Sequence, residues 1–544
     1  MAHVFVGLLK DKPYENAFLY DMSGKKFRQV LWGDWLSLAD DADLQPKGLK
    51  NNSKWVWVRW AWGDPDPAKR QLLKIKREFT SSARPLEIIF VDVGIGDGAV
   101  LISPERETAE GEPAEAGEER ILVIDAGKED HMRKFLDGRF KAYREGFNFH
   151  AAILSHPDSD HYNGFGRILS TEKITFKRLY HNGIVELNSD KGLSRLGGTR
   201  SGPGGVTDYL QKIVPDDATM RSLFAPSENR KNRYASVIGK GIAKNNVGEF
   251  RMLGVNLGAK EDGRTWLPEF APSSRRPYTI EVLGPWVEYP FGPDNPSLRV
   301  FDKDLGKTKN GHSVLLRLQF GHFSVFFGGD LNRPAEMFLL QQYAGLAEWP
   351  SSKAERDAMV EAATQRLSSD VMKSCHHGSS DVTDEFIRAV RPAAFVISSG
   401  DQDANYVHPR PDLLGRLGKL GLGDSPVLLS TELQRSTRDI DHRELVGKLT
   451  KEIEELAKCD AAAHAAANFE AERSKKLKAL LKKFGELALP SVAVDGAIYV
   501  KTNGEMLITA FKKETQDPKS KWFYYAYTLT GEGTLKLIPR EGEH

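Results

Sequence analysis

The sequence has little cysteine, no long apolar run and no excess of charge of either sign. Only Cys375 and Cys459 occur among 544 residues, which excludes a disulfide framework and fits a reducing compartment. No apolar run approaches the roughly 18 residues of a membrane helix. The first nine residues lack the basic start of a signal peptide, and Lys10 follows them too soon. We therefore expect a cytoplasmic protein without a membrane segment.

The balance of charge limits how such a chain could bind nucleic acid. Lys plus Arg number 76 and Asp plus Glu number 75, so the molecule as a whole is not a polycation. Any contact with nucleic acid must therefore come from a local basic patch. Hydrophobic residues make up 40%, which is typical of a globular chain, and the length allows more than one domain.

One stretch concentrates side chains that bind metal ions. It follows the apolar run 151–154 directly and contains His156, Asp158, Asp160 and His161. The run predicts a buried strand, and Pro157 prevents that strand from continuing. Imidazoles and carboxylates are ligands of divalent cations, and four of them crowded together are unfavourable without one. The alternative is a polar surface loop of chance composition, but the density of ligands favours a metal site.

Further ligand-type residues follow other predicted strands. Asp125 ends one strand, where it either orients a metal ligand or belongs to a turn. Asp330 follows an apolar strand and a Gly-Gly turn, His376 and His377 follow another strand, and His408 follows a third. Each is a weak signal alone. Because they repeat the pattern of the first cluster, together they indicate one site at several strand ends.

Two common catalytic devices are absent from the sequence. The glycines at 94, 96 and 98 are followed by neither a helix pattern nor a Lys-Ser/Thr pair, so no nucleotide-binding fingerprint is satisfied. There is no Gly-x-Ser-x-Gly elbow, and Cys375 is interpreted as a small packing residue. A water activated by metal is therefore the predicted nucleophile.

Residues 1–84 are predicted to form a separate small β domain. Short aromatic-rich runs alternate with turns, and the alternation around Trp55, Trp57 and Trp60 is typical of a half-buried strand. A surface rich in tryptophan could stack bases. Packing in the core of a small barrel is the favoured interpretation.

Two segments carry local positive charge. Residues 228–264 contain eight basic and four acidic residues and belong to a predicted basic insertion at about 195–275. We interpret residues 228–264 as a solvated surface insertion, with a flap that attracts phosphates as the alternative.

The second segment is a predicted helical hairpin at 437–486. One apolar stripe of this hairpin contains Leu445, Leu449, Ile453 and Leu456, and the other contains Leu477, Leu480, Leu481 and Phe484. Its lysines, Lys475, Lys476, Lys478, Lys482 and Lys483, are solvated or form a surface for a protein partner or nucleic acid.

The loop His156-x-Asp158-x-Asp160-His161 is similar to the signature loop of metallo-β-lactamase-fold hydrolases, with Asp at the second position. The order of the other pieces resembles the soluble hydrolase domain of the DNA-uptake protein ComEC. These pieces are Asp92-Val93-Gly94-x-Gly96-Asp97, Asp125-x-Gly127, Leu283-Gly284-Pro285, the turn at 310–313, Gly329-Asp330, Lys373-x-x-His376-His377-Gly378-Ser379 and Asn405-x-x-His408-Pro409. The resemblance covers about 86–435 and 491–511.

The resemblance implies an α/β fold, namely an αββα sandwich of two mixed sheets with the helices outside and the metals at one sheet edge. The hydrolase domain would span 85–436, the helical hairpin at 437–486 would be inserted, and residues 487–544 would complete the domain. ComEC-like channel proteins carry membrane helices, whereas this sequence has none, so DNA import is not expected.

The resemblance also implies a ligand set for two divalent ions, Zn²⁺ or Mn²⁺. The implied metal ligands are His156, Asp158, Asp160, His161, Asp330, His376 and His377, with Asp125, Asn310 and His312 as further candidates. In this set Asp330 bridges the two ions, and Asn310 or His312 stands in the place of the family's third histidine. Because Asp158 replaces a histidine with a hard oxygen, manganese becomes as plausible as zinc. Asp160, Lys373 and His408 are the predicted catalytic residues, and the last two would contact a substrate phosphate or protonate the leaving group.

These features together predict a metal-dependent phosphodiesterase or nuclease that uses a hydroxide bound by two metal ions. The alternatives are hydrolysis of a small ester, amide or nucleotide, and a non-catalytic binding or scaffold protein on the same fold. The predicted substrate is nucleic acid or another phosphodiester. The sequence leaves open whether this is DNA or RNA, and what the oligomeric state is.

Overall fold

The computed structural model describes residues 2–61, 69–106, 119–188, 191–400, 408–423, 426–431, 451–454, 474–480, 496–513, 515, 517–531 and 533–540. These residues form a mixed α/β protein whose strands are arranged in four sheets, in agreement with the predicted α/β class. Within the same residues, no helix is both long and apolar enough to cross a membrane.

The first 84 residues contain a sheet of their own. Its strands are β1 (His3–Val6), β2 (Ala17–Tyr20), β3 (Lys26–Val30), β4 (Trp35–Leu38), β5 (Trp55–Trp60), β6 (Gln71–Lys76) and β7 (Thr80–Ser81), with helix α1 (Asp41–Leu44) between β4 and β5. They pair in the order β3-β2-β6-β5-β4-β1-β7. Leu19 and Ile75 lie opposite each other and are fully buried. Trp57 packs against Leu44 and Leu72, which favours a packing role for this tryptophan over base stacking.

The largest sheet begins after this domain. Its first strands are β8 (Leu86–Phe90), β9 (Gly98–Arg106), β10 (Glu119–Ala126), β11 (Phe147–Ile153) and β12 (Ile174–His181), with helices α2 (His131–Arg139), α3 (Ser159–Tyr162) and α4 (Phe165–Ile168). The chain continues through β13 (Thr199–Ser201), β14 (Asp208–Leu210), α5 (Asp217–Phe224), α6 (Arg233–Ala243) and β15 (Val247–Met252). Strands β10, β11, β12 and β15 are parallel neighbours.

Part of the segment predicted as a basic insertion belongs to this sheet. Strand β15 pairs with β12, with Phe176 opposite Val247, and forms the edge. Helices α5 and α6 cover the sheet and place Phe224, Tyr234 and Ile238 in its core. The interpretation of residues 228–264 as a solvated surface insertion is therefore wrong for residues 233–252, which form α6 and β15 and contribute to the core. Basic residues on the outer side of α6 hid an apolar side that repeats with the helical period.

A second sheet follows in the chain. It contains β16 (Tyr278–Gly284), β17 (Leu315–Phe320), β18 (Phe323–Phe327), β19 (Val371–Lys373), β20 (Ala394–Ile397) and β21 (Val427–Ser430), in that order. Its helices are α7 (Leu305–Gly311), α8 (Arg333–Ala344), α9 (Lys353–Leu367), α10 (Asp384–Val390) and α11 (Pro411–Leu420). Three of them begin at side chains that accept a hydrogen bond from the first turn, namely Asp304, Ser352 and Thr383.

The last strands return to the largest sheet. They are β22 (Ile498–Thr502), β23 (Leu507–Lys512), β24 (Trp522–Leu529) and β25 (Leu535–Leu537). Strand β22 pairs with β8, so the complete order is β15-β12-β11-β10-β9-β8-β22-β23-β24-β25. The strands that directly follow residue 85 and those that follow residue 496 therefore share one sheet.

The predicted hairpin lies between β21 and β22. Residues 451–454 and 474–480 are helical; Leu480 is buried, whereas Ile453 and Leu477 are exposed. The other residues of the two predicted stripes, Leu445, Leu449, Leu456, Leu481 and Phe484, lie outside the described residues. A Cβ added to Gly496 would lie 2.9 Å from the carbonyl oxygen of Thr431. The chain therefore leaves the core of the two larger sheets and re-enters it at one place.

The two larger sheets pack face to face. Phe90 and Ile153 from the first sheet share a core with Val325 and Val396 from the second. The outer face of the first sheet is covered by α2, α4, α5 and α6, and that of the second by α8, α9, α10 and α11. Strands covered on both faces are apolar on both sides. The carboxyl ends of the parallel strands of both sheets meet at one edge of this core.

Candidate metal centre

The predicted ligand loop begins where β11 ends. His156 and His161 are fully buried, whereas Asp158 and Asp160 are partly exposed. The stretch is not a loop throughout, because residues Ser159–Tyr162 form helix α3. This helical turn brings Asp160 and His161 back toward the end of the strand.

The other predicted ligands arrive from the second sheet. Asp330 follows β18, and His376 and His377 follow β19, which is parallel to β18. Both histidines have positive φ, +48° and +53°, which is costly for a residue with a side chain. This backbone turns the two imidazoles toward the carboxylate of Asp330.

One carboxylate oxygen forms the centre of the cluster. Oδ2 of Asp330 lies 3.1 Å from Nε2 of His377 and 3.2 Å from Nε2 of His161. Nε2 of His156 and Nε2 of His376 each lie 4.0 Å from the same oxygen. Four imidazoles from two separate sheets thus point the same nitrogen at one place.

The cluster fits a divalent cation. Asp97, His161, Asp330 and His377 are all buried, and one ligand atom from each lies within 4.8 Å of the others. The Nε2 atoms of His156, His161 and His377 are buried without a hydrogen bond to any described residue. Coordination to a divalent cation would engage all three nitrogens and would balance the charge of the surrounding carboxylates.

Asp97 is a member of this cluster that the sequence did not identify as a ligand. It lies in the glycine-rich turn after β8, and its Oδ1 lies 3.1 Å from Nδ1 of His377. The same carboxylate forms an ion pair with Lys373. The sequence could have indicated Asp97 in one way: it is an acidic residue inside a glycine-rich turn, and that turn matches no nucleotide-binding fingerprint.

Asp125 orients the ligands and does not face the pocket. Its Oδ2 lies 2.8 Å from Nδ1 of His161 and accepts a hydrogen bond of 2.6 Å from Oγ of Ser155. Its Oδ1 accepts a bond of 2.8 Å from the backbone N–H of Ser155. Of the two sequence interpretations, the structure favours the orienting one, because holding Nδ1 leaves Nε2 of His161 facing Asp330.

The electrostatics follow from this crowding. Burial by itself lowers the pKa of His161, but the carboxylates of Asp330 and Asp125 outweigh it and raise that pKa well above its ordinary value. Burial likewise lowers the pKa of His377, and Asp330 and Asp97 raise it more. Burial raises the pKa of Asp330, but His161 and His377 hold it well below its usual range. Without a cation, protons on the imidazoles balance the carboxylates.

Asp158 has partners that the sequence did not reveal. Its Oδ1 forms an ion pair with Nζ of Lys309, which also lies 2.8 Å from Oε1 of Glu186. The side-chain amide of Asn310 is oriented so that its nitrogen, and not its oxygen, faces the neighbouring acceptors. This nitrogen donates a hydrogen bond to Oδ2 of Asp158 at 2.8 Å. Burial raises the pKa of Asp158, but His156 and Lys309 lower it to about 2. Asn310 therefore supports a ligand, and nothing in the local sequence signalled Lys309 or Glu186.

Two predicted residues lie away from the pocket. Nε2 of His312 lies 2.7 Å from the carbonyl oxygen of Arg299, so this nitrogen is not presented to the cluster. Lys373 is buried beneath the cluster, where its Nζ donates to the carbonyl oxygen of Gly329 at 2.9 Å and pairs with Asp97. This position does not match the predicted contact of Lys373 with a substrate phosphate.

A pocket of about 440 Å³ opens onto the cluster. Its lining includes Asp158, Asp160, Asp330, His376, His377 and His408. Burial, with His377 and His376 nearby, lowers the pKa of His408 to about 4. His408 is therefore neutral near pH 7, and its position on the pocket wall allows contact with a substrate. Asn405, from the same sequence motif, lies outside the described residues.

No model of a known protein family matches this chain, and no curated protein matches it either.

Proposed function

We propose that this chain is a metal-dependent hydrolase with the metallo-β-lactamase fold. We further propose that it cleaves a phosphodiester bond and that its substrate is a nucleic acid. The fold proposal is supported by two sheets packed face to face, helices on both outer faces and ligands at one shared edge. The ligand loop after β11 and the acid after β18 occupy corresponding ends of the two sheets.

One observation gives the main support for metal-dependent hydrolysis. The Nε2 atoms of His156, His161 and His377 are buried, form no hydrogen bond with the part of the chain that the structure describes, and are directed at Asp330. A divalent cation bound there would activate a water molecule and neutralise charge that develops on the scissile group. Asp97, Asp330, His161 and His377 would hold one ion. His156 and Asp158, whose Nε2 and Oδ2 are 3.5 Å apart, would hold a second with Asp330.

The chain's own residues position these ligands and select the substrate. Asp125 and Ser155 fix the ring of His161, and Lys309 fixes the carboxylate of Asp158. Asp160, with Oδ2 3.4 Å from Nε2 of His377, lies at the pocket wall. Burial raises the pKa of its carboxyl group, but His377 and His161 hold that pKa well below its usual range, so the carboxylate is ionised and could bind a metal ion. His408 and Lys128 line the same pocket, and their side chains can donate to or attract an anionic substrate.

Other nucleophiles have little support in the described residues. Burial raises the pKa of the Cys375 thiol well above its ordinary value, so this cysteine is not a reactive thiolate. A phosphodiester is favoured over a neutral ester because Lys128 and Lys307 line the pocket, and divalent cations bound by the aspartates of the same pocket would add positive charge. Two alternatives remain to be tested by experiment. One is hydrolysis of a small ester, amide or nucleotide, and the other is a non-catalytic scaffold protein.

The test combines metal analysis with a substrate panel. Purified protein should contain at least one divalent ion per chain and, with Mn²⁺ or Zn²⁺ added, should cleave single-stranded or double-stranded DNA, RNA or bis(p-nitrophenyl) phosphate. Asp330→Asn serves as the inactive control. Less than one ion per chain would favour a scaffold. A loaded protein that cleaves p-nitrophenyl acetate but no phosphodiester would favour the small-ester alternative.

A further inference from the structure

A second cavity adjoins the metal pocket. It has a volume of about 570 Å³, and Lys128 lines both cavities. Asp160 lines the metal pocket, and Asn163, one helical turn further along, lines the second cavity. The side chain of Asn163 donates to the carbonyl oxygen of Lys128 at 2.5 Å. One turn of chain is thus all that separates the two spaces at this point.

The lining of the second cavity is strongly cationic. Its basic residues are Lys128, Arg167, Arg230, Lys231, Arg233 and Lys240, against the acids Glu129 and Asp130. The protein as a whole carries a formal charge of only +1. This concentration is therefore a local feature, and such a cleft attracts polyanions.

Most of these cations have no acidic partner among the described residues. Asp130 is occupied by Arg133, with contacts of 2.7 and 2.8 Å. Arg230 has a structural role, because its Nε donates to the carbonyl oxygen of Phe224 at 2.6 Å and its Nη2 donates to that of Ala225. The remaining five form no ion pair with a described residue, and Arg167, Lys231, Arg233 and Lys240 are exposed.

The backbone adds to the positive potential. Helix α6 begins at this cavity, and the side chain of its N-cap residue, Asn232, accepts a hydrogen bond from the N–H of Ala235 at 2.7 Å. The free N–H groups and dipole of a helix N-terminus favour negative charge. Together with cationic side chains that form no ion pair with a described residue, this helix N-terminus makes the cavity suited to phosphates.

We infer that this second cavity, defined by Lys128, Arg167, Lys231, Arg233 and Lys240, binds the flanking phosphates of a polynucleotide strand whose scissile phosphate lies at the metal pocket. The inference rests on the proposed function and specifies its substrate as a polymer. A small phosphodiester fills the metal pocket alone, whereas a continuous strand passes Lys128 and reaches the second cavity. The polymer is therefore the ligand that uses both spaces.

The test measures binding without cleavage. Protein treated with EDTA is titrated into fluorescein-labelled single-stranded DNA or RNA at several salt concentrations. The variant Arg167→Glu/Lys231→Glu/Arg233→Glu is expected to bind at least about tenfold more weakly at low salt. The plot of log K against log [salt] has a negative slope, and the magnitude of this slope should decrease by about 2 in the variant. Three phosphate contacts are lost, and each contact on a single strand contributes about 0.7.

A matched variant controls for net charge. Lys47, Lys50 and Lys54 are exposed in the N-terminal domain and line neither cavity. Changing all three to Glu alters the net charge equally and should leave affinity and slope close to those of the parent. The metal content of the Arg167 triple variant should equal that of the parent, which establishes that it is folded.

The outcomes separate this inference from the proposed function. Equal affinity and slope for the triple variant and the parent would overturn the inference, as would an equal loss in the charge control or a parent that binds no oligonucleotide. The proposed function would still stand if the parent hydrolysed bis(p-nitrophenyl) phosphate. A parent that hydrolyses no phosphodiester contradicts the proposed function instead.

Discussion

Gly96 lies directly against the backbone of Asp160: a Cβ added to Gly96 would be 1.8 Å from the carbonyl oxygen of Asp160. The backbone N–H of Asp97 donates to that same oxygen at 3.3 Å. The glycine-rich turn therefore packs against helix α3 and carries Asp97 into the metal cluster. This contact explains Gly96, in a turn that matches no phosphate-binding loop.

Gly96→Ala should disrupt the metal centre. The added methyl group cannot fit against Asp160, and φ at Gly96 is +103°, where an L side chain is strained. We expect the metal content of the purified variant, measured by mass spectrometry, to fall well below that of the parent. Gly258→Ala is the control, because Gly258 has φ +79° with no atom within 4 Å of the added Cβ. It should cost only the strain of about 1–2 kcal/mol. Full metal content in Gly96→Ala would contradict the packing argument.

His161→Ala or Asp160→Ala should abolish hydrolysis while the fold survives. Both side chains lie at the metal cluster, and their backbone is held by strands formed elsewhere. Activity on bis(p-nitrophenyl) phosphate should fall to background, while the melting temperature measured with EDTA stays near that of the parent. His322→Ala, at the exposed turn between β17 and β18, is the control. Unchanged turnover with metal still bound would refute the assignment.

Metal affinity should increase with pH. In the metal-free protein His161 and His377 have raised pKa values, caused mainly by Asp330 acting against burial. Only the neutral imidazole binds a cation, so each proton must leave first, and affinity falls as the pH drops below these raised values. The expected change is up to about tenfold per pH unit for each proton released. Competition with a chromophoric chelator over a pH series measures it.

Asp125→Asn tests the origin of that dependence. Removing this carboxylate takes away one group that raises the pKa of His161, so the dependence should begin at a lower pH. The lost hydrogen-bond orientation should also weaken affinity by about 10–100-fold. A pH-independent affinity in the parent would show that the imidazoles are already neutral in the metal-free protein.

Glu336 should make the protein less stable at high pH. Burial raises the pKa of Glu336 to about 8 from an ordinary value of 4.5. A raised folded-state pKa means that stability is complete below about pH 4.5 and declines as pH rises through about 8. Glu336→Gln keeps the acceptor for the N–H of Thr383 (2.5 Å) but cannot ionise. In urea denaturation the variant should exceed the parent by a few kcal/mol at about pH 9.

The exposed Glu361→Gln on α9 is the control for the Glu336 experiment. It should follow the parent at every pH. The unfolding free energies of the parent and of Glu336→Gln could instead differ by a constant amount between about pH 5 and about pH 9. That result would rule out ionisation of Glu336 as the cause of the lower stability at high pH.

Excision of residues 437–486 with a short linker should leave a folded core that binds metal. The carbonyl oxygen of Thr431 lies within 2.9 Å of the position of a Cβ on Gly496, so the core supplies two ends that are already adjacent. Buried Leu480 should then be the main apolar side chain lost among the described helical residues. Loss of folded protein on excision would show that the hairpin supports the core.

The sequence by itself determined the α/β class, the strand that precedes the ligand loop and the ligand types at the ends of β11, β18 and β19. These follow from local rules: apolar runs form strands, Pro157 ends one, and imidazoles beside carboxylates bind cations. Helices α5 and α6 were missed because charged residues on their outer sides masked the apolar period.

Only the tertiary structure decided which side chains meet. Asp158 and Lys309 are 151 residues apart in the chain, and their contact requires the ligand loop of one sheet to face helix α7 beside the other. Asp97 enters the cluster and Lys373 lies beneath it for the same reason. Sequence patterns report local periodicity and chemistry, whereas ion pairs and packing between distant segments depend on how the two sheets are placed against each other.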